Sequence, residues 1–231
     1  MKYRVLIEVE YALFLEKKKF FKLSGKAIKH LNRLAKDFGP EDAQEIKQIE
    51  YITNHDVKAV EYYIKNELEK NGGEKYKEWI HFGLTSQDIN NTAIPLLWKE
   101  AIEYEYLPGL LNLNAELRLL AKAWKDIPML AHTHGQPASP TRLGKEIMVF
   151  VERIQNQVEQ LIGIPFSAKF GGATGNFNAH HVAFPKTDWA KFGDEFIKKL
   201  GLTRQQHTTQ IEHYDNLAAH FDCMKRINNI L

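Results

Sequence analysis

Leu107-Pro-Gly-Leu-Leu-Asn-Leu-Asn-Ala-Glu-Leu-Arg-Leu-Leu-Ala-Lys-Ala-Trp124 decides the fold class of this 231-residue chain. Its apolar positions Leu110, Leu111, Leu113, Leu117, Leu120 and Ala121 recur at helical spacing and form a stripe wide enough for the core of a helical bundle. A matching stripe follows over residues 141–162, where Leu143, Ile147, Phe150, Val151, Ile154, Val158 and Leu161 share one face. A third begins near Tyr214 and carries Leu217, Phe221, Met224, Ile227 and Ile230 to the end of the sequence. No segment shows the period-2 alternation of a strand or an internal repeat, so an all-α architecture is expected.

Upstream the same periodicity holds. Val5, Val9, Leu13 and Phe20 stand at helical spacings among Glu and Lys. Ser24 is a natural N-cap for a second helix, which Gly39-Pro40 ends, and residues 41–52 read as a third. Asn54 or Asp56 is placed to cap a fourth helix, broken by Asn71-Gly72-Gly73. Thr85-Ser86-Gln87-Asp88 reads as a turn opening a long helix through Leu96 and Leu97 toward Tyr104. The expected organisation is a helical N-terminal domain over residues 1–88, followed by a central helical-bundle domain over residues 89–231.

Composition narrows the function. The chain is 44% hydrophobic and 26% charged, the balance of a globular protein. A net charge of +2 gives no electrostatic case for nucleic acid. Lys17, Lys18, Lys19 and Lys22 read as a solvated helix face. The one cysteine, Cys223, forms no intrachain disulfide and reads as a buried thiol. No apolar run reaches the roughly 20 residues of a membrane span, and Met1-Lys2-Tyr3-Arg4 leads into Glu8 and Glu10, unlike a signal peptide. A cytoplasmic location and no membrane partner are therefore expected.

Five segments carry residues suited to chemistry. In Ala131-His-Thr-His-Gly-Gln-Pro-Ala-Ser-Pro140, Pro137, Pro140 and Gly135 exclude a helix interior and leave His134 on a shaped loop. An imidazole gives and takes protons near neutrality, which suits a general acid or base. Asn54-His55-Asp56 offers donors and an acceptor at a helix start, and Thr85-Ser86 offers two hydroxyls beside backbone N–H groups that can hold a carboxylate. Phe170-Gly-Gly-Ala-Thr-Gly-Asn-Phe-Asn-Ala-His-His181 is a glycine-rich loop without the spacing of a dinucleotide fingerprint. Its glycines still allow backbone N–H groups to approach an anion. Thr208-Thr-Gln-Ile-Glu212 is the fifth. Taken singly, each is an ordinary cap or connector. The histidine pairs His132/His134, His180/His181 and His213/His220 lack the spacing of a metal site, so no metal is expected.

Together the five segments resemble the adenylosuccinate lyases of the fumarase/aspartase superfamily. The residues that carry the likeness are Thr53 to Tyr62, Ile80 to Asn91, the Thr-His-Gly-Gln-Pro-Ala loop, the Gly-Ala-x-Gly-Asn-x-Asn-Ala-His run and Thr-Thr-Gln-Ile-Glu. The likeness covers nearly the whole chain and leans toward the enterobacterial members. It implies a long-helix bundle of the fumarase/aspartase type. It also implies β-elimination of fumarate from adenylosuccinate, giving AMP, and from succinylo-aminoimidazole-carboxamide ribotide, with no cofactor. Carried over motif by motif, His134 is implied as the general acid. Asn54, His55 and Asp56 fall in the family's nucleotide-binding segment, Thr85 and Ser86 in its succinyl-binding turn, and Gln210 at its substrate-contacting glutamine. A cytoplasmic homotetramer is implied for the complete enzyme.

Departures from the family pattern set a second expectation. The upstream Arg-Tyr pair and the Gly-Ser-Ser-x-Met-Pro-x-Lys-x-Asn-Pro loop, whose serine the family uses as base, lie outside these residues. A chain truncated at both ends and inactive alone is expected. The rival readings are a catalytically silent helical scaffold that keeps the family's frame, and a sister fumarate-releasing lyase.

Overall fold

The computed structural model describes all 231 residues. In chain order the helices are α1 Lys2–Lys17, α2 Gly25–Lys36, α3 Pro40–Thr53, α4 Asp56–Lys70, α5 Ser86–Ala101, α6 Leu107–Ala123, α7 Leu143–Gly163, α8 Asn178–Ala183, α9 Trp189–Lys199 and α10 Asp215–Asn228. The strands are β1 Pro128–Thr133, β2 Gln136–Arg142, β3 Ser167–Ala168 and β4 Thr203–Arg204. The chain is predominantly helical, as expected, and no helix is long and apolar enough to cross a membrane. It divides into two compact units, one of Met1–Leu97 with Phe166–His213, the other of Trp98–Pro165 with Tyr214–Leu231.

The first unit is organised around α1. Its buried residues Val5, Ile7, Glu8, Val9, Tyr11, Ala12, Phe14 and Leu15 cover more than half of the helix circumference, as a helix packed on two sides requires. Val5, Val9 and Ala12 pack with Ala27 and Leu31 of α2 and with Val60 and Ile64 of α4. Ile7, Tyr11 and Phe14 pack with Phe170, Trp189, Phe192 and Phe196. Ser24 caps α2 by accepting the Ala27 N–H at 3.2 Å. The fourth helix is capped differently from expectation. His55 is its N-cap, its Nδ1 accepting the Lys58 N–H at 3.1 Å, while Asn54 ends α3 in the left-handed region at φ 51°. Asp56 is left free to pair with Arg4 at 2.8 Å.

The second unit holds α6, α7 and α10. Ala121 of α6, Val151, Ile154, Val158 and Leu161 of α7, and Cys223 and Ile227 of α10 are buried. Gly144 makes the α6–α7 crossing close, because a Cβ there would overlap the Ala121 carbonyl oxygen. Before α6 the chain makes a π-helical turn, Ile102–Tyr106. Pro108 lacks the N–H that a regular ladder would need just after it. Cys223 is a buried thiol, donating to the Gln157 carbonyl, and burial raises its pKa.

Two expectations are corrected in this unit. The histidine loop is a β-hairpin, β1 pairing antiparallel with β2 from Pro128↔Arg142 to Thr133↔Gln136, with an irregularity between Leu130 and His132. A two-stranded ribbon has only edge strands, which is why Pro137 and Pro140 are tolerated within it. The wide apolar stripes are also only partly buried. Leu111, Leu113, Leu120, Phe150 and Phe221 are exposed. Each helix covers one strip against its neighbours within the unit, and the remaining width has no cover there.

Candidate functional site

The Thr85–Ser86 turn lies at the start of α5 in the first unit. Thr85 and Asp88 close it reciprocally, the Asp88 N–H reaching the Thr85 carbonyl at 2.9 Å and the Thr85 N–H reaching Asp88 Oδ2 at 2.8 Å. This arrangement leaves the Thr85 and Ser86 side chains partly exposed while Asp88 is buried. Asp88 Oδ1 also receives the Lys169 ammonium at 2.6 Å and the Gly171 N–H at 2.8 Å. The Gly172 N–H lies 3.1 Å from each of its oxygens. The turn and the glycine loop thus share one buried carboxylate.

The glycine loop brings in the third segment. Gly172 and Gly175 have φ of +78° and +81°, which favour glycine. At Gly175 a Cβ would overlap the Thr208 carbonyl oxygen and sit 2.8 Å from the Thr208 hydroxyl. That approach places Gln210, which is exposed, with its Nε2 at 3.5 Å from Thr85 Oγ1. The Glu212 N–H donates to Asn91 Oδ1 at 3.0 Å and fixes the far end of this segment. Thr85, Ser86, the glycine loop and Gln210, which span 125 residues of sequence from Thr85 to Gln210, are therefore adjacent.

Beneath the turn lies a buried polar layer. Tyr11 donates its hydroxyl proton to the Phe82 carbonyl at 2.8 Å. The His180 Nε2 contact with the same hydroxyl, at 2.9 Å, must then be an N–H donated by the ring. That tautomer leaves Nδ1 a bare acceptor, and Nδ1 is buried without a partner. Burial depresses the His180 pKa to about 4, so the ring is neutral at physiological pH. Gly83 has φ +69°, and a Cβ there would meet the His180 ring at 2.7 Å. Nearby, His81 Nδ1 and Glu8 Oε1 are 2.6 Å apart. Burial raises the Glu8 pKa. At His81 burial opposes the charged form, but the Glu8 carboxylate outweighs it and raises the pKa.

Asn54, His55 and Asp56 line a separate open hollow of the first unit, of about 650 Å³, together with Lys47, Glu50 and Tyr51. Because His55 Nδ1 accepts a backbone N–H, its ring proton sits on Nε2, on the half-exposed edge of the side chain. The helix N-terminus and Lys47 bring positive charge to this hollow, beside the carboxylates of Glu50 and Asp56 and the exposed ring of Tyr51.

His134 belongs to the second unit. With Gly135 it forms the two-residue turn of the β1–β2 hairpin, at φ 50° and 71°. Positive φ at both positions is the I′ geometry that matches strand twist. The turn presents the His134 side chain at an exposed tip.

Sequence patterns do not single out Asp88, Lys169, Glu8 or His81 as members of a site, and they place His180 only at the end of the glycine-rich segment and in a histidine pair without metal spacing. For Asp88 the signal was present in the Thr-x-x-Asp pattern of a capping box. For Lys169 it was absent, since its partner lies 81 residues away.

The hydroxyl turn, the glycine loop and the distal glutamine thus meet in one unit of a mainly helical chain, and residues 8–231 match the lyase family, to which the chain belongs. The adenylosuccinate lyase of Dictyostelium discoideum is 52% identical over 242 residues, spanning 100% of this chain and 52% of that protein. The adenylosuccinate lyase of Escherichia coli (strain K12) is 41% identical over 236 residues, with the same coverage of 100% and 52%. Of these two the amoebal relative is the more similar. The crystal structure of a fumarate lyase from Mesorhizobium sp. BNC1 has the same fold, with TM-score 0.76 and 20% sequence identity over 99% of this chain and 52% of that one. The chain spans about half the length of the curated relatives it matches.

Proposed function

We propose that the protein carrying this chain is an adenylosuccinate lyase. It releases fumarate from adenylosuccinate to leave AMP, and from succinylo-aminoimidazole-carboxamide ribotide to leave the carboxamide ribotide. The observation that carries the reading is 52% identity to a named adenylosuccinate lyase along the entire chain. In the elimination a base removes a proton from the carbon beside a carboxylate, the C–N bond breaks, and an acid delivers a proton to the departing nitrogen. His134 is the acid. Its place on a hairpin tip supports this, because the imidazole is exposed and its backbone is fixed by strand pairing on both sides.

Thr85 and Ser86 receive a carboxylate of the succinyl group, with Gln210 alongside, and the glycine loop closes over it. Asn54, His55 and Asp56 bind the nucleotide in their hollow. The base belongs to a Gly-Ser-Ser loop of the family, and no such motif occurs in these 231 residues. The complete enzyme is a cytoplasmic homotetramer acting without a cofactor, on small-molecule substrates alone. The exposed apolar faces of α6 and α7 support the assembly.

The reading is tested by purifying the complete protein and following fumarate and AMP from adenylosuccinate. Equimolar release supports it. A folded protein that shows neither turnover nor calorimetric affinity for adenylosuccinate or AMP would instead favour the silent-scaffold alternative.

A further inference from the structure

We propose that Asp88 and Lys169 are a positioning pair, which locks the Thr85–Ser86 turn and the glycine loop into one substrate-receiving surface. What that surface receives rests on the lyase reading above; the lock itself does not.

Both side chains are fully buried, at 0% exposure. Neither can touch a ligand in solution, so their effect must pass through the groups they hold. Their grip is on the backbone. Asp88 takes the N–H groups of Thr85, Gly171 and Gly172, while Lys169 donates to the carbonyl oxygen of Gly172. Gly172 is therefore held at both its N–H and its carbonyl by one ion pair. The same carbonyl accepts the Gly175 N–H at 3.2 Å, so the grip extends to the residue that abuts Thr208. One carboxylate thus orients the hydroxyl turn, and the lysine opposite it orients the loop.

General energetics argue against a purely stabilising role. Desolvating two charges offsets most of their attraction, and replacing such a pair by apolar side chains is often neutral or stabilising. Fixing two segments from opposite parts of the sequence in one register is a task that apolar substitutes cannot perform, since they offer no acceptor for three N–H groups.

The test uses the complete protein and the double variant Asp88→Leu/Lys169→Met, which removes both charges together. The expected result is a variant that stays folded by circular dichroism but melts below the parent, since three N–H groups lose their acceptor, with KM for adenylosuccinate raised tenfold or more and kcat reduced less. A double variant with the parent's melting temperature and the parent's KM would overturn the proposal. Hydrogen exchange of the parent, read on peptides spanning residues 83–90 and 168–176, supplies a second arm that needs neither folding of the variant nor lyase activity. The lock predicts that the amides of Thr85, Gly171 and Gly172 open together. Independent opening of the two segments overturns it. A parent that shows coupled exchange but no fumarate release would reject the lyase reading and leave the lock standing.

Discussion

Gly175 and Thr208 stand so close that no side chain fits between their backbones: a Cβ on Gly175 would overlap the Thr208 carbonyl oxygen. Gly175 also sits at φ +81°, where an L side chain is strained. Gly175→Ala should therefore cost about 2 kcal/mol or more, from strain and displaced backbone together. Gly109→Ala is the control. Gly109 lies in α6 with open space around it, and alanine there should stabilise by about 0.5–1 kcal/mol. Denaturant unfolding of both variants measures the pair of effects, which should have opposite signs.

His180 gives the fold a dependence on acid. Its pKa is depressed to about 4 in the folded protein, against about 6.5 unfolded. Between those values the unfolded chain holds a proton that the folded chain excludes, so stability rises with pH across that window and is lost as pH falls through it. The size is about 3 kcal/mol for a shift of this order. Glu8, whose pKa is raised, has the opposite slope above its ordinary range. The comparison is therefore between the parent and His180→Gln, which retains a donor for Tyr11. The variant should lose less stability than the parent between pH 6.5 and pH 4.5, and equal losses would contradict the assignment.

Removing one member of the Glu8–His81 pair leaves the other buried without its partner. His81→Ala should destabilise by about 3 kcal/mol, and Glu8→Leu in the same chain should restore part of that loss. A double-mutant cycle reads the coupling directly, and additive losses would mean that the 2.6 Å contact contributes nothing.

The helices were legible because their signals are local. Ser24 stands at the start of α2 with the spacing of a cap, and Asn71-Gly72-Gly73 follows the end of α4. The hairpin was hidden because Pro137 and Pro140 argue against a strand, and that argument fails only when both strands are edges. His55 displaced Asn54 and Asp56 as the cap of α4 because an imidazole Nδ1 accepts as a carboxylate does, a role outside the usual cap preferences. At the site, Thr85, Ser86 and Gln210 were readable as polar groups on breaks. Their common support was not, since a buried lysine is visible in sequence only when its distant partner is known. The excess width of the stripe through Leu111 and Leu120 was equally unreadable, because which residues of a stripe are buried depends on the helices packed against it, which its periodicity does not position.

His134→Ala in the complete protein should lower kcat by about 10²–10⁴ if the imidazole protonates the departing nitrogen. Its hairpin turn requires positive φ, so the companion variant His134→Asn keeps the turn while removing the acid. Both variants should be equally slow and keep the parent's assembly by size-exclusion chromatography. An unchanged rate in the asparagine variant would reject the acid role.

The most direct test of the central claim is fumarate release from adenylosuccinate by the complete protein, followed together with AMP. One fumarate for each AMP, with no added metal or cofactor, is the predicted result. A folded protein that yields neither product from adenylosuccinate would contradict the account.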